Sequence, residues 1–463
     1  MVKTVYRKLK HIHMIGIGGT GMNGIAEVLH NLGYRVSGSD LAEGEATRRL
    51  REMGTTISIG HRKENVQGAD VVVVSSAVKE DNVELREARN LKIPVIPRAE
   101  MLAELMRMRY GIAVAGSHGK TSTTSMVAAV LDKAGFDPTI VVGGRLNTLG
   151  AHARLGEGDF FVAEADESDR SFLMLSPFIA VLTNIDAEHL DKYKGVDDIK
   201  KDFITFANKV PFYCPIILCL DDANLQSVIP AFDRRIITYG FSSQADFNAR
   251  DMHFDGFSSR STLFHKGREI GQLRLNVPGP HMILNALAAV AVGHDLDIPP
   301  SVILEALAGY AGTGRRFELK ADIGRIMVVE DYGHHPTEIR ATLNGAKLGW
   351  PRRRLVVAFQ PHRFTRLAHL RDEFATSFNQ ADALVLTEVY PAGEEPIPGV
   401  DGRSLYEEVR RFGHKDVRFA PDVRDLPAVL AEISRPDDLV IFLGAGNINK
   451  VIPDFLGLLE KRT

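Results

Sequence analysis

A glycine-rich stretch with a lysine and several hydroxyl groups offers the most specific chemistry in this sequence. It lies between a short apolar run and a stretch with helical spacing, and it reads Gly116, Ser117, His118, Gly119, Lys120, Thr121 and Ser122. Backbone N–H groups of such a loop cradle phosphate oxygens, while Lys120 neutralises the β- and γ-phosphates and Thr121 binds Mg²⁺. The loop is shorter than the general phosphate-loop pattern, because Val114 stands where that pattern has its first glycine. We therefore predict a nucleoside triphosphate site here.

A metal bound at such a loop requires an acidic ligand, and one follows the predicted strand Phe160–Ala163. Glu164 opens an acidic run that continues to Asp169. Acidic runs are normally solvated surface, but this one comes directly after a buried strand. We therefore expect Glu164 to bind Mg²⁺ together with Thr121.

A histidine within a second acidic group follows the next predicted strand. His189 stands at the carboxyl end of that strand, where α/β sheets bind ligands. A lone histidine is more often a packing or surface residue, but this position favours a ligand to a second metal ion, ahead of Asp186 and Asp191. Lys120, Glu164 and His189 are the predicted catalytic residues.

A second glycine turn lies near the start of the chain, between the predicted strand His11–Ile15 and a helix. Its glycines match G-x-G-x-x-G, and Asp40 ends the next predicted strand. Glycines let the backbone approach a diphosphate at the helix N-terminus, and Asp40 is placed to bind a ribose or base. The alternative is a turn that only packs the helix on the strand. The motif does not identify the nucleotide, although NAD is the usual interpretation. The glycines concerned are Gly16, Gly18, Gly19 and Gly21.

The composition limits the class of protein. The 463 residues have a formal net charge of −3, which argues against a general nucleic-acid binder. The two cysteines are too few for a disulfide framework and favour a reducing cytoplasm. Apolar runs all fall short of the roughly 18 residues that span a membrane. We therefore expect a cytoplasmic protein with no nucleic-acid or membrane partner.

Alternating strands and helices predict an α/β protein of three domains, each with a mainly parallel sheet. The first is Rossmann-like, the second is a central ATP-binding domain with the phosphate loop, and the third is Rossmann-like again. Short antiparallel strands are expected between residues 246 and 277. The predicted domains are residues 1–107, 108–313 and 314–463.

In their order along the chain, these motifs resemble those of the Mur ligases, which add amino acids to the UDP-muramyl precursor of peptidoglycan. The resemblance covers essentially the whole chain, and the glycine turn is most similar to that of the members that add alanine. Its motifs are Gly16–Gly21 with Met22–Leu29, Gly116–Thr121, Glu164–Asp169, Glu188–Tyr193, Gly279–Leu287, Gly314–Phe317, Glu330–Ile339, Phe359–Arg366 and Tyr390–Pro398.

The resemblance also implies roles for individual residues. Thr121, Glu164 and His189 would bind Mg²⁺, for which Mn²⁺ can substitute. Besides the phosphate loop, ATP would be bound by Asn285, Arg316, Asp331, Tyr332 and His334. Besides the glycine turn, the UDP-substrate would be bound by Asp40, Ser75, Ser76, His362, Arg363 and Arg366.

Two departures from the family pattern stand out. Met282 replaces the asparagine that usually follows the histidine of Gly-Pro-His. Phe203 stands where several sister ligases carry a carbamylated lysine, so we predict that this chain lacks that modification.

The resemblance implies a reaction as well. ATP would phosphorylate the lactyl carboxylate of UDP-N-acetylmuramate, and L-alanine would displace phosphate from the acyl phosphate, in a monomer or weak homodimer. One alternative is a relative that attaches a recycled tripeptide in place of alanine. A nicotinamide-dependent dehydrogenase is the other, but it leaves the phosphate loop and its acidic residues unexplained.

Overall fold

The computed structural model describes residues 9–146, 151–190 and 192–462. They form two compact units. The first comprises Met1–Asp186, Val196–Asn248 and Asn285–Ala306. The second comprises Ala187–Gly195, Ala249–Leu284 and Leu307–Thr463. Within the described ranges, no helix combines the length and the apolar character that crossing a membrane requires.

The first unit begins with a parallel sheet whose strand order is β3-β2-β1-β4-β5. This is the order of a Rossmann half-fold, with β1 at the centre and the glycine turn at its carboxyl end. The strands are β1 His11–Ile15, β2 Arg35–Asp40, β3 Thr56–Ile59, β4 Val71–Val74 and β5 Val95–Pro97. The helices are α1 Thr20–Asn31, α2 Glu45–Glu52, α3 Val83–Asn90 and α4 Arg98–Arg107.

A second sheet of the first unit surrounds the phosphate loop. Its strands have the order β12-β11-β10-β6-β9-β7-β8, parallel except for the antiparallel pair β7–β8. The strands are β6 Tyr110–Ala115, β7 Thr139–Leu146, β8 Ala151–Arg154, β9 Phe160–Ala165, β10 Ile179–Leu182, β11 Pro215–Cys219 and β12 Arg235–Gly240. The helices in this stretch are α5 Lys120–Lys133, α6 Val196–Ala207 and α7 Ala223–Val228.

The chain passes between the units in β13 Phe247–Asp255, α8 Pro280–Asp295 and α9 Pro300–Ala308. The start of β13 pairs in parallel with β12. In the second unit, β14 Ser258–His265 and β15 Arg268–Leu275 form an antiparallel hairpin.

The main sheet of the second unit has the order β16-β17-β21-β18-β19-β20, and only its edge pair β16–β17 is antiparallel. The strands are β16 Glu318–Ile323, β17 Ile326–Asp331, β18 Arg354–Phe359, β19 Ala383–Thr387, β20 Val417–Ala420 and β21 Asp438–Leu443. The helices are α10 Pro336–Gly349, α11 Phe364–His369, α12 Arg371–Thr376, α13 Gly402–Arg411, α14 Leu426–Ile433 and α15 Ile452–Glu460.

Both faces of this sheet are covered by apolar side chains. Val329, Val357 and Leu386 point to one face, while Val328, Val356 and Val385 point to the other. Burial on two faces explains why these strands read as continuous apolar runs, as parallel sheets require. Short 3₁₀ helices lie at Lys63–Val66, Ser171–Met174, Ile229–Ala231, Val423–Asp425 and Ile448–Val451.

The predicted fold class is confirmed, with two adjustments. The central sheet is mixed, because an antiparallel strand flanks it and a hairpin follows it along the chain. Strand β9 continues two residues beyond the predicted Ala163, so Glu164 lies inside the strand, paired with Val114 of β6.

Candidate active site

The phosphate loop joins the carboxyl end of β6 to α5, and the end of β10 fixes its shape. Asn184 accepts hydrogen bonds from the backbone of Ser117 at 3.1 Å and of His118 at 2.8 Å. The Thr183 hydroxyl donates to the His118 carbonyl at 2.6 Å. With these two amides bound to Asn184, the N–H groups of the first turn of α5 remain to meet a phosphate, since a helix start has no internal partners for them.

Two positions of the loop must be glycine, because neighbouring side chains lie very close to the backbone there. Gly116 has φ +146°, and a Cβ there would collide with the Thr183 hydroxyl. Gly119 has φ +81°, and its Cβ would lie 2.8 Å from Asn285 Oδ1. Asn285, which we expected to bind ATP, therefore lies against the phosphate loop.

Lys120 has an acidic partner that the sequence did not single out. Its Nζ contacts Glu167 Oε1 at 2.9 Å and also donates to the carbonyl of Gly116 at 2.5 Å. The Glu167 side chain is only 2 % exposed. The ammonium is thus held at the loop by a buried carboxylate, in the place where a phosphate would need its charge.

The two predicted metal ligands of the first unit provide oxygen atoms. Thr121 is buried at the start of α5, as is Ser122. Glu164 accepts a hydrogen bond through Oε1 from the backbone of Gly143 at 2.7 Å. A hydroxyl and a carboxylate are hard oxygen donors, so this pair fits Mg²⁺.

Asp186, the weaker metal candidate, pairs with the loop histidine. His118 Nε2 lies 3.0 Å from Asp186 Oδ2, and the backbone N–H of Asp186 donates to the Ser117 hydroxyl at 2.8 Å. Asp186 therefore fastens the phosphate loop to the segment after β10. Asp191, the other weak candidate, lies outside the described residues.

The glycine turn of the first unit is fastened to the end of β2. The Ser39 carbonyl accepts from the backbone of Gly16 at 2.8 Å and of Ile17 at 3.1 Å. Asp40 accepts from the backbone of Gly18 at 2.8 Å. The Asp40 carboxylate, predicted to meet a ribose or base, thus also shapes the turn.

The remaining predicted residues of this turn lie beside it. Gly19 precedes α1 and Gly21 lies in its first turn. Ser75 follows β4, and its Cβ would lie 3.1 Å from a Cβ on Gly16. The Ser75-Ser76 turn is therefore next to the start of the glycine turn.

In the second unit, an aromatic ring organises the residues predicted to bind ATP. The guanidinium carbons of Arg315 and Arg316 lie 4.9 and 5.1 Å from the ring centre of Tyr332. His334 meets the same ring edge-on, at 5.4 Å between ring centres. Arg315 was not predicted, although it neighbours Arg316 in the sequence.

Asp331, at the end of β17, is a buried carboxylate bonded to backbone. It accepts from Gly333 N at 2.7 Å and from Phe317 N at 2.8 Å. Burial raises the pKa of Asp331 above its usual value, although Arg316 acts to lower it. This carboxylate therefore orders the loop that carries Tyr332 and His334.

The predicted carboxylate-binding residues cluster around His362. Its ring stacks on Tyr390 at 5.5 Å, and its carbonyl accepts from Arg366 at 2.9 Å. Burial, followed by the charges of His334 and Arg366, lowers the pKa of His362 to about 3, so the ring is neutral at physiological pH. Arg363 adopts φ +71° and donates its backbone N–H to Tyr390.

An acidic residue that the sequence did not single out joins this cluster. Arg366 Nη2 donates to Glu188 Oε1 at 3.1 Å, and both side chains are less than 10 % exposed. His334 Nε2 lies 3.6 Å from the same oxygen. A charge-rich motif could have drawn attention to Glu188, since it precedes His189, but only the fold brings it to Arg366.

His189 belongs to the same part of the second unit. It has φ +55°, which is uncommon for a residue with a side chain, and the carbonyl of His189 accepts from Lys192 and Tyr193. A small cavity brings His189 together with Arg363 and Arg366, and it is lined by Ala187, Glu188, His189, Leu190, Arg363, Thr365, Arg366, His369 and Leu370.

Comparisons with known proteins identify the family of this chain. Three family models match in succession, described as the Mur ligase family catalytic domain at residues 11–110, the Mur ligase middle domain at 114–293 and the Mur ligase glutamate ligase domain at 315–446.

Similar proteins match over nearly the full length. A UDP-N-acetylmuramate–L-alanine ligase of Trichlorobacter lovleyi is 58% identical over 445 residues, which cover 96% of this chain and 98% of that protein. The enzyme of the same name from Geobacter sulfurreducens is 56% identical over 458 residues, covering 99% of each chain.

Solved structures are similar as well. The UDP-N-acetylmuramate-alanine ligase of Thermotoga maritima has a TM-score of 0.83 at 29% identity, over 98% of this chain and all of that one. A murein peptide ligase of Psychrobacter arcticus has a TM-score of 0.72 at 26% identity, over 97% and 98% of the two chains. By sequence, fold and the order of its sites, this chain belongs to the Mur ligase family.

Proposed function

We propose that this chain is an ATP-dependent UDP-N-acetylmuramate–L-alanine ligase that acts through an acyl phosphate. The observation that carries the proposal is the phosphate loop, with Lys120 held by Glu167 at 2.9 Å and Thr121 at the start of α5. Relatives with this activity in their names are 52–58% identical over nearly the whole chain. L-Alanine and UDP-N-acetylmuramate are therefore the substrates.

In the first step, the lactyl carboxylate attacks the γ-phosphorus of ATP. The amides at the start of α5 and the Lys120 ammonium stabilise the charge on the transferring phosphoryl group. When ATP binds, the Lys120 ammonium would exchange its contact with the Glu167 carboxylate for a contact with the phosphates. The products of this step are ADP and the acyl phosphate.

In the second step, the amino group of alanine attacks the acyl carbon and phosphate leaves. Arg363 and Arg366 orient the substrate carboxylates, because a guanidinium matches a carboxylate with two parallel hydrogen bonds. The ring of His362, stacked on Tyr390, is neutral and so adds no positive charge beside these arginines.

Magnesium is the metal we assign to this site. Thr121 and Glu164 supply the oxygen donors that it prefers, and we propose His189 as a ligand to a second metal ion. The ion would neutralise phosphate charge and align the phosphoryl group. Mn²⁺ can take its place, since it accepts the same donors.

Two other activities compete with this proposal. The murein peptide ligase of Psychrobacter arcticus is similar in fold, but its TM-score and identity are lower than those of the alanine ligase of Thermotoga maritima. A nicotinamide-dependent dehydrogenase would use the glycine turn alone and would leave the Lys120–Glu167 pair without a role. The alanine ligase accounts for both sites.

The proposed setting follows from the substrates. ATP and UDP-linked sugars are made in the cytoplasm, and the free thiols of Cys214 and Cys219 are consistent with a reducing compartment. We assign no nucleic-acid or membrane partner, and we propose a monomer or a weak homodimer.

Phosphate release in the presence of ATP, Mg²⁺ and UDP-N-acetylmuramate tests the proposal. Each amino acid is added in a separate reaction, and the recycled tripeptide is tested in a further reaction without alanine. Release that depends on L-alanine supports the alanine ligase. Release with the tripeptide alone, or hydride transfer to a nicotinamide, contradicts it.

A further inference from the structure

An arginine of the first unit packs against the helix that starts at the glycine turn. Arg98 is the first residue of α4, after Pro97. A Cβ on Gly21 would lie 2.5 Å from Arg98 Nη1 and 3.1 Å from its Cζ. Since Gly21 lies in the first turn of α1, the guanidinium occupies the space that any side chain at this position would need.

Arg98 is held in this place by an acidic residue after β9. Its Nη2 donates to Asp166 Oδ2 at 3.2 Å, and the arginine side chain is 19 % exposed. Asp166 is itself fixed, because Oδ1 accepts from the backbone of Ser168 at 3.0 Å.

The pair lies between the two nucleotide sites of the first unit. Asp166 directly precedes Glu167, whose carboxylate binds Lys120 of the phosphate loop at 2.9 Å. On its other side, Arg98 touches the first turn of α1. The pair Arg98–Asp166 therefore links the start of α1 to the acidic run that holds Lys120.

The charge at the start of α1 favours an anion there. The first turn of α1 carries no acidic residue, and its amides contribute only a partial positive charge. A diphosphate carries more negative charge than these amides balance. Arg98, from the start of α4, places a positive charge beside this turn, and Asp166 restrains its side chain before any ligand arrives, so little side-chain entropy is lost on binding.

We infer that Arg98 is a ligand of the substrate diphosphate, which it binds through Nη1 while Nη2 stays on Asp166. This inference rests on the proposed function, because it takes the glycine turn as the site of the UDP-substrate. It also gives Gly21 a second role, since glycine leaves room for the arginine as well as for the diphosphate.

Calorimetry with UDP and UMP as probes tests this assignment. Arg98→Ala should weaken UDP binding roughly tenfold to a hundredfold, as expected for a charged hydrogen-bonded contact. It should change UMP binding less, because UMP lacks the second phosphate. Arg98→Lys keeps the charge but loses the planar guanidinium, so its UDP affinity should lie between those of the wild type and Arg98→Ala. Arg49→Ala is the control. Arg49 of α2 forms an ion pair with Glu27 of α1 at 2.8 Å, and its replacement should leave UDP affinity within twofold.

Gly21→Ala provides a test that keeps the arginine. The new methyl group should displace the guanidinium and weaken UDP binding, while the melting temperature should not fall, since alanine favours a helix more than glycine does. If Arg98→Ala folds poorly, Arg98→Lys decides the question, because Gly21 itself lies in the diphosphate site.

Three outcomes would overturn the inference. The first is a wild-type protein that binds UDP while all variants at Arg98 and Gly21 bind it equally well, which leaves the proposed function intact. The second is a variant that loses affinity for UDP-N-acetylmuramate but not for UDP, which would place the arginine on the sugar carboxylate. The third is a wild-type protein with no affinity for UDP, which removes the proposed function together with this inference.

Discussion

Arg366 and Glu188 form a buried ion pair in the second unit, with Nη2 and Oε1 3.1 Å apart. The arginine is one that we assign to a substrate carboxylate, so Glu188 occupies the kind of position that such a carboxylate would take. Arg366 also donates to the carbonyl of His362 at 2.9 Å. The guanidinium is thus oriented before substrate arrives, by a carboxylate that resembles its ligand.

Replacing Arg366 by lysine should lower kcat/KM for the UDP-substrate roughly tenfold to a hundredfold. Lysine keeps the charge, but it cannot form two parallel hydrogen bonds to a carboxylate or reach Glu188 and His362 at once. The measurement is phosphate release at varied UDP-N-acetylmuramate. Arg371→Lys is the matched control, because Arg371 binds Glu408 at 3.1 Å and is 42% exposed, and it should change kcat/KM less than twofold. An Arg366→Lys enzyme with wild-type kcat/KM would show that this arginine does not bind the substrate.

Removing the Lys120 ammonium should abolish ligation and leave UDP binding nearly unchanged. Lys120→Ala removes the charge that the γ-phosphate needs, whereas the glycine turn lies on a different sheet of the first unit. Turnover is measured by phosphate release, and UDP affinity is measured by calorimetry. Lys133→Ala, at the far end of α5 and paired with the exposed Glu305, should be active. Equal loss of ATP and UDP affinity would mean that the two sites are wrongly assigned.

His189→Ala should reduce turnover about a hundredfold or more and change ATP-analogue affinity only a few-fold, because a metal ion held by His189 would stabilise charge mainly in the transition state. The defect should deepen as Mg²⁺ is lowered. His253, exposed on β13, serves as the control for replacing a histidine. Unchanged turnover at low Mg²⁺ would return His189 to a structural role.

The loss of stability as the pH falls below about 5 should depend on Glu84, a fully buried residue of α3. Its carboxylate accepts from the Ser39 hydroxyl at 2.5 Å and from Arg62 N at 3.1 Å, and His13 and His61 lie 3.4 and 3.5 Å away. Burial alone would raise the pKa of Glu84, but the hydrogen bonds from His13, Ser39 and Asn65 outweigh it and lower the pKa to about 2.

Because the folded pKa is below the unfolded one, Glu84 stabilises the fold above about pH 4.5, and that stabilisation is lost as the pH falls toward 2. Glu84→Gln should therefore cost roughly 3 kcal/mol at pH 5–7 and progressively less below pH 4.5. Urea denaturation of both proteins at several pH values measures the difference. Glu80→Gln, at an 81% exposed side chain, should show no such pH dependence. A gap between wild type and Glu84→Gln that stays constant from pH 7 to 3.5 would exclude this role.

The sequence alone determined the elements that carry strong local signals. Strand β1 spans His11–Ile15, as we predicted, and all five of its residues are buried. The phosphate loop was also evident, since glycines, lysine and threonine between a strand and a helix serve few other purposes. Edge strands such as β3 and β8 were missed, because they are short and only partly apolar. Helix α8 starts at Pro280, because proline suits the first turn of a helix.

Only the tertiary structure shows which charged residues distant in sequence form ion pairs. Glu188 and Arg366 are 178 residues apart, and Arg98 and Asp166 are 68 apart. Neither pair leaves a local pattern, since an ion pair requires only that two side chains meet. The chain order of strands places Lys120 after β6 and Glu167 after β9, but only the parallel pairing of β6 with β9 brings their carboxyl ends to one edge. Sequence motifs therefore predict which residues could be catalytic. Only the tertiary structure shows which charged side chains position them.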